Sequence, residues 1–352
     1  MSAPALPWSN TPRITLNLTR LVAESRITID EAEMLLGLAE SSRLRRIIVN
    51  VLLILGALMV VGGVLALKPT LETGLALALA SLGTGTALFA KGRREWGLLG
   101  RALIHMGLLG LSGWITMQFW SLPQPWPHLM WPAIALLLAA GAIGYRDSLL
   151  AALAAIAIGY VLGGSTRYWH ASYALIVEEP VLSIAAFSLL GALAFWFRNR
   201  LPLAYQQPAT VFWRTSFILG NFAFLVGTLW GDYILDGWLS PYYSTYSADA
   251  YRAYEAWRAL ALHVPSTAFV LAWPAALFAA IAVGAKTRQL FLVNTSLVFL
   301  GIHFYTQLHE VMVWSPVGLV VGGLLTVALA LVLVRANLDG LKRLWQRWRR
   351  PA

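Results

Sequence analysis

The chain has 352 residues, of which 59% are hydrophobic and only 12% are charged, whereas soluble domains have about 25% charged residues. This composition excludes an ordinary soluble enzyme domain and predicts a membrane protein. The net charge of +10 does not indicate nucleic-acid binding, because the basic residues follow the predicted membrane topology. Since cysteine is absent, disulfides, thiolate metal sites and thiol nucleophiles are excluded.

Residues 1–46 precede the first apolar segment and are predicted to form a cytoplasmic arm and a short helical hairpin. Thr28 and Glu31 have the spacing of a capping box, which predicts the start of the second helix. We expect this hairpin to pack on the membrane or on the bundle; the alternative is a docking site for a cytoplasmic or membrane protein. The charged stretch before Ile47 indicates an uncleaved first span, not a signal peptide.

The same region carries a family resemblance. Residues 18–22 (LTRLV), 26–36 (RITIDEAEMLL), 55–58 (LGAL) and 62–64 (GGV) resemble the start of a bacterial family of predicted membrane proteins, domain of unknown function 2157. In that family a helical hairpin precedes a glycine-rich first span. The resemblance implies the inner membrane of a Gram-negative bacterium, and it supplies no catalytic residues.

Ten apolar runs of about 17 to 25 residues occupy residues 47–334, and each is long enough to cross roughly 30 Å of hydrocarbon. They begin near Ile47, Leu71, Gly97, Trp126, Asp147, Val181, Thr210, Val264, Gln289 and Trp314. The sequence therefore predicts an all-α polytopic bundle of about ten transmembrane helices.

The distribution of charged residues predicts how the helical bundle is oriented in the membrane. With ten crossings, 22 of the 26 Lys and Arg residues lie on the side of the two termini, including the basic tail 335–352. The positive-inside rule places that side, and both termini, in the cytoplasm. Half of the 16 acidic residues lie on the opposite side. The basic character thus reflects topology and attraction to anionic lipid head groups.

Polar residues inside three spans are candidate ligand-binding residues, because polar groups in hydrocarbon are costly and often functional. These are His105 in the third span, Asn221 and Asp232 in the seventh, and His303, Gln307 and Glu310 in the ninth, where His309 points elsewhere. The alternative is that they only link helices, at about 0.6 kcal/mol for each hydrogen bond.

The predicted outer ends of the spans are rich in aromatic residues. Trp230 and Trp238 flank Asp232, and His263 ends a segment, 236–263, that is too polar to span. Residues 248–262 read as an amphipathic helix on the outer surface, suited to cover the mouth of the bundle. An interfacial aromatic belt explains many of these side chains equally well.

Residues 230–238 also resemble, faintly, the Trp-rich outer loop of haem-handling membrane proteins, with His263 and His309 as possible axial ligands. Enzyme motifs are weaker. His309 and Glu310 lack the second histidine that a zincin helix requires, and no serine has the spacing of a nucleophile elbow.

The leading functional hypothesis is therefore a non-enzymatic protein that binds or transports a cationic or amphipathic small molecule, or a lipid, through an outward-facing polar and aromatic cavity. An accessory or scaffold subunit of a membrane complex is the competing hypothesis, since polar faces of spans also bind partner proteins. A haem-handling protein is the third.

Overall fold

The computed structural model describes residues 51–91, 96–122, 129–169, 172–241 and 247–312, and a few isolated positions outside these ranges. The amino-terminal hairpin (1–46), the tenth predicted span from Trp314 and the basic tail (335–352) lie almost entirely outside the described residues. At two of the isolated positions, Thr28 donates to Glu31 Oε2 from its backbone N–H at 2.8 Å and from its hydroxyl at 3.1 Å. The Glu31 N–H donates to the Thr28 hydroxyl at 3.2 Å, so the predicted capping box is confirmed.

The described chain is mainly helical, as predicted, because a helix satisfies its backbone polar groups internally and can present apolar side chains to hydrocarbon. The α-helices are α1 (Val51–Leu67), α2 (Leu71–Ala90), α3 (Gly97–Trp120), α4 (Met130–Tyr145), α5 (Ser148–Val161), α6 (Pro180–Phe197), α7 (Leu203–Trp230), α8 (Asp236–Leu239), α9 (Ala248–Leu260), α10 (Ser266–Lys286) and α11 (Leu290–Met312).

Six of these helices, α2, α3, α6, α7, α10 and α11, are long and apolar enough to cross a membrane. The helices α1, α4 and α5 are apolar but shorter. With 16 and 14 residues, α4 and α5 are about 24 and 21 Å long at 1.5 Å per residue, against roughly 30 Å of hydrocarbon. The count of ten full spans is therefore not confirmed.

The break between α4 and α5 has a local cause. Arg146 adopts the left-handed conformation, with φ of 53°, and ends α4. The next residue, Asp147, caps α5 by accepting the N–H groups of Leu149 and Leu150 at 2.9 and 3.1 Å. This break coincides with the predicted boundary between the fourth and fifth apolar runs, and α5 is shorter than predicted because it ends at Val161, before β1 begins at Gly164.

Two short antiparallel β pairs depart from the all-α prediction. The strands β1 (Gly164–Trp169) and β2 (Ser172–Val177) form a hairpin after α5. The strands β3 (Asp232–Tyr233) and β4 (His263–Val264) join the end of α7 to the start of α10. The first pair is rich in aromatic and β-branched residues, which favour strands. These strands were not predicted from the sequence, because aromatic residues after an apolar run are also typical of an interfacial aromatic belt.

The chain divides into two compact units, residues 1–114 and 115–352. In the first unit, α2 and the beginning of α3 cross at glycine. A Cβ atom on Gly107 would lie 2.7 Å from the backbone N of Leu82, and one on Gly85 would lie 2.8 Å from the carbonyl oxygen of Gly100. The absence of side chains at these positions therefore allows the backbones to approach closely.

In the second unit, α6 and α7 form an antiparallel hairpin joined by a short 3-10 turn, Arg198–Arg200. The two helices approach closely at Gly191, where an added Cβ would lie 3.3 Å from the Cβ of Ser216. Trp273 and Leu277 of α10 and Phe299 of α11 form a buried cluster against α7. This packing joins α7 to α10 and α11.

Candidate functional site

Two buried carboxylates join the start of α6 to the segment that follows α7. Glu179 directly precedes α6, and Asp232 begins β3. Asp232 Oδ2 accepts the Val181 N–H at 2.7 Å, while Glu179 accepts the N–H groups of Leu235 and Gly237 at 2.8 and 2.9 Å. Each carboxylate thus binds free amide groups at a helix start on the opposite segment, α6 for Asp232 and α8 for Glu179. We call Glu179 and Asp232 the crossed carboxylates.

The local sequence explains this arrangement. Pro180 occupies the first position of α6 and has no N–H, so Val181 offers an early free donor of that helix. Gly231 has φ of 72°, a conformation that favours glycine, and this turn directs Asp232 back toward α6. At Gly237 a Cβ atom would lie 2.8 Å from Glu178 Oε2, so a larger residue would displace the carboxylate beside it.

Burial raises the pKa of both crossed carboxylates. Glu179 is fully buried and Asp232 is 3% exposed, and loss of hydration disfavours their charged forms. The hydrogen bonds from backbone amides lower both pKa values in part, whereas the nearby Asp236 raises them. Asp232 Oδ1 has no hydrogen-bond partner among the described residues. This end of the hairpin, with Glu178, Glu179, Asp232 and Asp236, is the acidic end.

The predicted amphipathic helix is present as α9 and contacts the acidic end. The Tyr254 hydroxyl donates to Asp236 Oδ2 at 3.4 Å. Tyr233 stacks on His263 with ring centroids 4.3 Å apart, and the Arg258 guanidinium lies 4.4 Å from the Tyr233 ring. The β3–β4 pair and α9 therefore form one layer attached to the crossed carboxylates.

A cavity of about 740 Å³ lies beside the acidic end. Its aromatic wall contains Trp120, Trp131, Tyr160 and Trp238, and Trp131 stacks on Tyr160 with centroids 4.1 Å apart. Glu178, which is exposed, also lines the cavity, and no Lys or Arg is among the described lining residues. Aromatic faces with a carboxylate suit an organic cation.

A second polar cluster lies inside the bundle. Trp273 Nε1 donates to Asn221 Oδ1 at 2.8 Å, and the edge of the His303 ring contacts Trp273 with centroids 5.0 Å apart. His303 Nδ1, Ser296 Oγ and Gln307 Nε2 are buried on α11 without a hydrogen-bond partner in the described structure. The residues Asn221 and His303, selected from separate spans, thus meet at Trp273.

The other sequence-predicted residues are more dispersed. Asp232 and His263 meet at the acidic end, and Trp238 lines the cavity. Trp230 is 68% exposed, and His105 belongs to the first unit. The side chains of His309 and Glu310 lie outside the described residues, so the described structure supplies only His263 of the two histidines considered as haem ligands.

Sequence reasoning did not select three residues that organise these sites. Glu179 was counted only as an outer acidic residue, although a carboxylate directly before Pro180 marks a helix start. Trp273 was not selected because a tryptophan in an apolar segment is usually interpreted as a packing residue of the hydrophobic core. Tyr160 carries no signal of its own, since its partner Trp131 is 29 residues away.

A scan against protein-family models, a search of curated proteins and a search of solved structures found no match to this chain.

The role of Glu179 as an acceptor for two amides is testable. We expect Glu179→Ala to lower the free energy of unfolding by about 2 kcal/mol or more, because the N–H groups of Leu235 and Gly237 lose their acceptor. The matched control is Glu178→Ala, which removes the same charge from the exposed neighbouring residue and should change stability less. Thermal unfolding in detergent measures both, and equal losses would contradict the assignment.

A second prediction concerns the buried charge of Asp232. Asp232→Asn keeps an oxygen acceptor for the Val181 N–H and removes the charge. Because burial raises the folded-state pKa above its usual 3.8, the charge of Asp232 has no effect on stability below the unfolded pKa, destabilises the folded protein increasingly from there up to the raised folded pKa, and has a constant effect above it. We expect the thermal midpoint of the variant, relative to the wild type, to increase with pH above about 4. A difference that does not change with pH would refute this account.

Proposed function

We propose that this chain is a multispanning, non-enzymatic protein of the bacterial inner membrane, which binds or transports a cationic, amphipathic small molecule. The binding site is the cavity walled by Trp120, Trp131, Tyr160 and Trp238. The observation that carries the proposal is the position of this aromatic cavity beside four acidic residues.

The chemistry of the cavity favours a cation over an anion. Each tryptophan or tyrosine face that contacts a cation contributes about 0.5–2 kcal/mol, and Glu178 supplies a carboxylate at the wall. Asp236 adds a further carboxylate at the acidic end, and negative potential there concentrates cations at the mouth. The remaining wall, including Leu129, Met130 and Leu239, suits an apolar portion of the same ligand.

Charge distribution supports an outward orientation of this cavity. The acidic end lies at one end of the α6–α7 hairpin, and Arg198, Arg200 and Arg214 lie at the other. The positive-inside rule then places the arginines in the cytoplasm and the cavity outside. Ten crossings with both termini inside belong to this proposal, and the six long and three shorter apolar helices of the described chain support a multispanning arrangement.

The family assignment to domain of unknown function 2157 is likewise a proposal, based on residues 18–64. An accessory subunit of a membrane complex, with protein contacts through residues 1–46 or through the spans, is the main alternative. Haem absorbance in the purified protein would support the haem-handling alternative instead.

Two probes of the same shape and opposite charge test the cavity directly. We expect purified protein to bind tetraphenylphosphonium and not tetraphenylborate in calorimetric titration. Trp238→Ala and Glu178→Gln should each weaken binding of the cation, about 3- to 30-fold, because each removes one attractive group. Trp230→Ala is the matched control, since Trp230 is 68% exposed and does not line the cavity.

The outcomes separate the hypotheses. The proposal is supported if the wild type binds the cation, Trp238→Ala weakens this binding and Trp230→Ala leaves it unchanged. Absence of binding, or equal affinity for both probes, overturns the proposed cation site and favours the accessory-subunit alternative.

A further inference from the structure

In the described structure, two arginines without a carboxylate partner lie near one another: Arg198 in the turn after α6, and Arg214 in the first half of α7. Arg198 is 9% exposed, and Arg214 has a buried Nε atom with no hydrogen-bond partner. Arg198 donates to the carbonyl oxygen of Phe195 at 2.9 Å. Within the described part of the chain, neither guanidinium forms a salt bridge. The Arg198 guanidinium is therefore largely removed from water and Arg214 is partly buried, with no compensating anion in the described structure.

Aromatic rings hold these two guanidinium groups near one another. The Arg198 Cζ lies 4.0 Å from the centre of the Phe195 ring and 5.7 Å from that of Trp213. The Arg214 Cζ lies 5.6 Å from Trp213 and 4.9 Å from Phe291. Ring faces attract cations but supply no negative charge. Since the two arginines share the Trp213 ring, their mutual repulsion favours an anion that contacts both.

An apolar groove of about 270 Å³ begins at the same rings. Phe195 and Trp213 line it together with residues of α7, α10 and α11. Three of its wall residues, Ser188, Ala192 and Val283, are exposed on the surface of the helices. Because this surface faces hydrocarbon in a membrane-spanning hairpin, the groove is open to lipid chains and closed to most polar solutes.

We propose that this groove and the paired arginines bind an anionic phospholipid. The phosphate group contacts Arg198 and Arg214, which can each donate two hydrogen bonds to phosphate oxygens. One acyl chain occupies the groove below the Phe195 and Trp213 rings. A lipid fits better than free phosphate because the charged and apolar surfaces are continuous. Basic pockets between helices on the cytoplasmic side bind lipid head groups in this way.

Native mass spectrometry of the protein in neutral detergent tests this site by titration with phosphatidylglycerol and with phosphatidylcholine. We expect the wild type to prefer phosphatidylglycerol, and Arg198→Gln/Arg214→Gln to weaken its binding by about tenfold or more. The matched control is Arg200→Gln/Arg288→Gln, which removes the same charge from exposed positions at the same end of the helices. This control should retain most of the preference.

Three outcomes would overturn the proposal. One is an equal loss in the control variant, which indicates general surface attraction. Another is displacement of phosphatidylglycerol by millimolar inorganic phosphate, which indicates a free-phosphate site. The third is full lipid affinity in Ala192→Phe, which fills the groove and leaves both arginines in place. This last variant also decides the question if the double arginine variant does not fold.

Discussion

The crossed carboxylates hold the acidic end of the second unit together. Glu179 binds the amides of Leu235 and Gly237, which flank the turn that leads to Trp238. Asp232 binds the first available amide of α6 and begins the strand that pairs with β4, directly before α10. The same two side chains therefore cap α6, position Trp238 in the cavity wall and attach α10 to this end of the hairpin.

The α6–α7 hairpin carries opposite charges at its two ends. The 18 residues of α6 span about 27 Å at 1.5 Å per residue, with carboxylates before its first turn and arginines after its last. Each end combines one sign of charge with aromatic rings and an adjoining cavity. The acidic end suits organic cations, and the arginine end suits anionic lipid. In the proposed topology, the same asymmetry favours one orientation of the chain in the membrane.

Sequence reasoning succeeded where the controlling interactions are local. Apolar runs predicted the helices, Thr28 and Glu31 predicted a capping box, and the amphipathic pattern predicted α9, because each depends on neighbours along the chain. It did not predict the short lengths of α4 and α5 or the β1–β2 hairpin that follows α5. The crossed carboxylates could not be predicted, since Glu179 and its two amide partners are more than 50 residues apart. The meeting of Asn221 with His303 through Trp273 is likewise a tertiary contact.

We propose that the acidic and arginine ends lie on opposite sides of the membrane. The absence of cysteine allows a single introduced thiol to report its own side without background labelling. Two exposed positions suit this test: Ser247, directly before α9, and Asn199, in the turn between α6 and α7. Each is replaced by cysteine in a separate variant. In cells with a permeabilised outer membrane, a membrane-impermeant maleimide should label the Ser247→Cys variant without lysis. It should label the Asn199→Cys variant only after the cells are lysed. Labelling of both before lysis, or the reverse pattern, would contradict the account.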